Sequence, residues 1–207
     1  MVARMPLVVP LSALGAFVVL LALVMGDWAP LHAVDTAVSA ALRSYGARHA
    51  GVVRVTRVVT DVGSTMPFLA AGVAVTILFA VLREARRAAF TGLVTVLVPT
   101  LWSLMHLLIY RPRPADAFVL IGSNGFPSGH STNATAAALV AVLLMWPRGT
   151  PPIRAVTVGV AAAFVALVGL SRVALLAHWP SDVLGGWLLA LAVVPLLARA
   201  ATAPRRL

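Results

Sequence analysis

Two histidines, three arginines, one aspartate and a glycine-bearing turn concentrate the reactive chemistry of this 207-residue chain. They fall in four clusters. Arg111 and Arg113 stand in Tyr110-Arg111-Pro112-Arg113-Pro114, and Pro127-Ser128-Gly129-His130-Ser131 follows. Ser171-Arg172 and the pair His178 and Asp182 complete the set. Each cluster suits phosphate chemistry. Arg113 and Arg172 supply fixed charge and fork-shaped donors that match phosphoryl oxygens. Ser128 and Gly129 lie at a helix start, where backbone N–H groups point outward and favour an anion. His130 can move a proton near neutral pH. His178 and Asp182 are one helical turn apart, so Asp182 is expected to accept from one ring nitrogen and leave the other as a nucleophile. His130, His178 and Asp182 are also metal-ligand types. The adjacent arginines would repel a cation, so no metal and no cofactor is expected.

These groups need elements to position them, and the composition says which. Hydrophobic residues make up 61% and charged residues 11%, with a mean hydropathy of +0.99. A soluble domain carries roughly 45–50% apolar and about 25% charged residues. The balance excludes a soluble globular protein, a disordered chain and a secreted scaffold. It leaves a polytopic membrane protein with apolar residues enough for six helices of about 20 residues. There is no cysteine, hence no disulfide and no thiol nucleophile. All 16 basic residues are Arg, and the net charge is +10. Because most Arg flank apolar stretches, the charge is assigned to lipid headgroups and the positive-inside bias, not to nucleic acid.

Apolar runs predict spans at about 7–26, 65–82, 88–109, 128–146, 155–170 and 182–198, in one domain covering 1–207. The first is too long for a signal-peptide core and is read as an uncleaved helix. Between the first two spans, Val34, Ala37, Val38, Ala41 and Leu42 follow helical spacing, with Asp35 off the stripe. A second short piece follows around Val52–Val59, with Arg54 and Arg57 exposed. Both are expected to lie in the membrane interface. The expected fold is therefore all-α: a six-span integral membrane bundle with a short interfacial helical segment between spans 1 and 2. Nine Arg then fall in inner segments, including Arg205 and Arg206, against seven in outer ones. All five Asp are outer. The termini are expected inside. Odd spans end outside and even spans begin there, so all four clusters share the outer face.

Arg113-Pro114, Pro127-Ser128-Gly129-His130 and Ser171-Arg172-x5-His178-x3-Asp182 resemble the three signature motifs of the phosphatidic acid phosphatase type 2 / haloperoxidase superfamily. The resemblance spans about residues 106–182, and the second and third motifs match in full. It implies a metal-independent lipid phosphatase or diphosphatase working at the outer membrane face. His178 would form a phosphohistidine, Asp182 would orient it, and His130 would protonate the leaving oxygen and then help activate water. Arg113, Arg172, Ser128 and Gly129 would hold the phosphoryl oxygens. The first motif departs from its family: the position of its leading Lys is His106, so the phosphate-binding role falls to His106 or to Arg111. The expected partners are the bilayer and a lipid phosphate such as phosphatidic acid, phosphatidylglycerol phosphate or polyprenyl diphosphate. The rival readings are a non-catalytic lipid-phosphate-binding protein and, given the superfamily, a vanadium-dependent haloperoxidase.

Overall fold

Apolar residues that cannot all be hidden from solvent by one small chain are arranged as helices that shed their backbone polarity internally. The computed structural model describes residues 2–119 and 122–202, and all regular structure among them is helical. The tail arginines Arg205 and Arg206 lie outside the described residues. The helices are α1 (Val8–Met25), α2 (Ala29–Arg48), α3 (Ala50–Asp61), α4 (Thr65–Val81), α5 (Ala85–Leu108), α6 (Gly129–Met145), α7 (Pro151–Ala174) and α8 (Pro180–Ala201). Among the described residues, five stretches are long and apolar enough to cross a membrane: 8–25, 50–81, 85–108, 151–174 and 180–201. α6, of 17 residues, is shorter. The chain is a multi-pass membrane protein.

α6 and α8 form the centre and pack on each other; α1 and α5 flank α8, while α4, α5 and α7 flank α6. Small residues set the close approach. A Cβ on Gly186 of α8 would stand 2.7 Å from the Ser128 carbonyl and 3.0 Å from Thr132 Oγ1. The core joins Phe90, Val94 and Val98 of α5 to Leu139 and Leu143 of α6 and Val194 of α8. α7 begins and ends four residues beyond the 155–170 run. Pro151 and Pro152 suit its first turn, where their missing N–H groups have no helical partner to lose.

The segment between α1 and α4 folds as two helices with opposite demands on their faces. On α2 the stripe Val34, Ala37, Val38 and Ala41 points away from the protein, whereas Asp35, Ser39 and Gly46 are buried. A polar face turned inward needs polar partners, and α2 and α3 find them at one end of α7 and α8.

Candidate active site

His178 sits on the turn between α7 and α8, and that turn is held in an uncommon conformation. Leu176, fully buried, has φ 54°, a left-handed region usually left to glycine. It lets the Ala177 and His178 N–H groups fold back onto the Arg172 carbonyl and close the end of α7. His178 is thereby turned inward and is 2% exposed.

Its two ring nitrogens meet opposite chemistry. Nδ1 lies 2.8 Å from the Gly125 carbonyl, which can only accept, so Nδ1 carries the proton. Nε2 lies 2.9 Å from an Arg113 guanidinium nitrogen, which can only donate, so Nε2 presents its lone pair. Burial pushes the His178 pKa well below the usual histidine value, and Arg113, Arg172 and His130 push in the same direction; the Gly125 bond opposes them. The result is a neutral imidazole whose Nε2 lone pair accepts from an arginine. The expected Asp182 bond takes a different form: Asp182 Oδ2 is 3.5 Å from Nδ1, with the Gly125 carbonyl closer. Asp182 is already engaged. Oδ2 accepts the Trp179 N–H at 2.9 Å, Oδ1 accepts from Arg111, and its carbonyl accepts the Ser128 N–H at 2.9 Å.

Arg113 is clamped by its surroundings. It donates to the Ser123 carbonyl and hydroxyl, to the carbonyls of Asn124 and Ala177, and to His178. Burial lowers its pKa, with Asp182 opposing. Arg172 is 5% exposed and donates to Thr60 Oγ1 at 3.0 Å; its Nε has no partner among the described residues. A buried guanidinium with an unsatisfied N–H is set up to receive an anionic oxygen.

The remaining predicted residues divide. His130 opens α6, close enough to His178 for its charge to act there. Gly129 lies against the Trp102 ring, which a Cβ would approach to 3.0 Å. Ser128 caps α6: its hydroxyl accepts the Ser131 N–H, and its own N–H is spent on Asp182. His106 Nε2 donates to the Pro127 carbonyl at 2.7 Å, bracing the turn before Ser128. Arg111 lies between two carboxylates, Asp35 at 2.7 Å and Asp182.

Two participants escaped the sequence reading. Asp35, 1% exposed, accepts from Arg111, from the Ser181 N–H at 3.0 Å and from the Ser181 hydroxyl. Thr60, 3% exposed, meets Arg172. The available signal was Asp35 standing off the apolar stripe of α2, on the face shared with Ser39.

Residues 107–206 match the family model described as the PAP2 superfamily. Among solved structures, the chain is similar to a crystal structure of a transmembrane PAP2-type phosphatidylglycerolphosphate phosphatase from Bacillus subtilis. The two share 26% identity and a TM-score of 0.81, over 97% of this chain and 100% of that one. No curated protein matches significantly.

Proposed function

We propose, from the match of residues 107–206 to the PAP2 superfamily model, that this membrane protein hydrolyses a lipid phosphate or diphosphate without a metal, through a phosphohistidine. The observation that carries the reading is the His178 tautomer: Nδ1–H fixed on the Gly125 carbonyl, Nε2 aimed at Arg113. A phosphoryl oxygen arriving at Arg113 would take over the N–H that now covers Nε2, and so uncover the lone pair. Nε2 then attacks phosphorus and the bond to the lipid oxygen breaks. His130 gives that oxygen its proton. Water next attacks the phosphohistidine, passes a proton to His130, and the P–N bond breaks to free phosphate. Arg113 and Arg172 supply the positive charge on which the transition state rests, the role a divalent ion fills elsewhere.

A lipid substrate is supported by the surroundings. An apolar cavity of about 390 Å³ runs beside α6, lined by Asn133, Ala134, Ala137 and Ala141 below His130 and by Phe68 and Phe164 opposite. A headgroup at His178 and a tail in this cavity would share one face of α6. In this reading six spans, with α4 and α6 among them, place the site at the outer membrane face and both termini inside. The test is phosphate release by the purified protein from phosphatidic acid, phosphatidylglycerol phosphate and polyprenyl diphosphate, with and without excess chelator. Release that survives the chelator and is lost in His178→Ala is the expected result. Loss on chelation, restored by one metal, would overturn the metal-free reading.

A further inference from the structure

The cavity beside α6 is almost wholly apolar, and one of its few polar residues stands out. Asn133 follows His130 by three residues, about 4.5 Å along the helix axis toward the membrane interior. It is 1% exposed and lines the cavity. Its amide orientation is set by its neighbour. The Trp102 indole N–H, which can only donate, lies 3.1 Å from Asn133 Oδ1. Trp102 is itself fixed under Gly129. The amide nitrogen is therefore turned away from Trp102, and it has no hydrogen-bond partner among the described residues. A buried N–H pair left unmatched within a bilayer is costly.

The missing partner is an acceptor at a defined depth, about one helical turn below His130, where Asn133 lines the cavity. Lipid phosphates differ at that depth. A glycerophospholipid carries ester carbonyls a few bonds below its phosphate, where head meets hydrocarbon. A polyprenyl phosphate or diphosphate has only methylenes, methyls and alkenes there. We propose that Asn133 Nδ2 donates to an ester carbonyl of the substrate, and that this amide selects diacylglycerol-based phosphates over polyprenyl ones. The proposal rests on the lipid-phosphatase reading and narrows it to a substrate class. A site built to bond a substrate group discriminates strongly against the analogue that lacks it, because the amide is then left unpaired. Asn133 acts as a specificity residue and takes no part in the bond changes at phosphorus.

The experiment compares kcat/KM for dioleoyl phosphatidic acid, its dialkyl ether analogue with chains of the same length, and a polyprenyl phosphate, in mixed detergent micelles. The ether analogue keeps shape and charge and lacks only the carbonyls. Wild-type protein is expected to favour the diester over the diether by about 3- to 30-fold, the range of one buried hydrogen bond made or missed, mainly in KM. The diester should also exceed the polyprenyl phosphate. Asn133→Leu, nearly isosteric without the donor, should bring the diester-to-diether ratio close to one. Asn133→Ser, which keeps a shorter donor, should fall between. Equal use of diester and diether by the wild type overturns the proposal with no variant needed, as does a preference for the polyprenyl substrate. An unchanged ratio in Asn133→Leu overturns it as well. A wild-type chain that releases phosphate from none of the three overturns the phosphatase reading and this proposal with it.

Discussion

Replacing Asp35 tests whether Arg111 serves the nucleophile or the phosphate. Asp35 takes three hydrogen bonds, from Arg111, the Ser181 N–H and the Ser181 hydroxyl, at a position 1% exposed. Arg111 spends its other arm on Asp182, the carboxylate beside His178. Asp35→Ala removes one charge-assisted bond, worth about 1.5–3 kcal/mol, and strands a buried N–H on Ser181 at about 1–3 kcal/mol. The expected stability loss is about 3–5 kcal/mol, the range seen when one partner of a buried ion pair is deleted. The catalytic loss follows from position. With one anchor gone, Arg111 and Asp182 drift, and a misplacement of about 1 Å at a reacting group costs about 10²-fold. The assay is kcat and KM for phosphate release at a temperature well below unfolding, for Asp35→Ala, Asp35→Asn, Arg111→Ala and the Asp35→Ala/Arg111→Ala double variant. Asp35→Asn keeps an acceptor for Ser181 and should be the milder in stability while still lowering kcat. Because the pair acts as one unit, the double variant should fall short of the sum by about 1.5 kcal/mol or more. KM should change little, since neither side chain faces the phosphoryl site. Additive losses with a KM raised tenfold or more in Arg111→Ala would refute this reasoning and return Arg111 to phosphate binding.

Three further outcomes follow from the same geometry. The folded His178 pKa lies well below its unfolded value of about 6.5, so the unfolded chain binds the extra proton first. Stability should be full above about pH 6.5 and fall on acidification below it; His178→Gln, measured by thermal unfolding in detergent, should flatten that acid slope. His106→Ala, which frees the Pro127 carbonyl, should cost about 0.5–1.5 kcal/mol of stability with a small change in KM; a large KM increase restored by His106→Lys would instead assign His106 to the phosphate. Ser123→Cys in this cysteine-free chain should react with an impermeant maleimide added outside intact cells, and labelling only after permeabilisation would invert the proposed topology.

Much of the fold was legible because hydropathy reports helices directly. The apolar runs and the proline and glycine turns mark where α1, α4, α5, α6 and α8 begin and end to within a few residues. α7 runs further than its apolar core, since a helix ends where hydrogen bonds stop and not where hydropathy does. α2 shows the limit of the method. Its apolar stripe is visible, but the stripe says nothing of what the opposite face touches. Asp35 reaches Arg111 and Ser181 across 76 and 146 residues of chain, and no local periodicity encodes such a partner.

The candidate site divides along the same line. Residue types and spacing single out His178, His130, Asp182, Arg113 and Arg172 as candidates because phosphate chemistry restricts the choice to a few side chains. What spacing cannot give is the direction of each donor. His178 and Asp182 at i, i+4 suggest a direct bond, yet the Trp179 N–H and Arg111 hold the carboxylate and leave Nδ1 to Gly125. Arg111 and Arg113 stand only two apart, with Pro112 between them, yet they reach different partners. One joins Asp35 and Asp182, the other reaches His178. Where the motif that this segment resembles begins with Lys, the chain has His106, and its imidazole is committed to the Pro127 carbonyl. With His106 bracing the turn and Arg111 bracing the carboxylate, the proposed reaction leaves the phosphoryl oxygens to Arg113 and to Arg172, whose Nε has no partner among the described residues. The asymmetry between them orders the proposed reaction: Arg172 can bind the phosphate as it stands, and Arg113 must release Nε2 before His178 can attack.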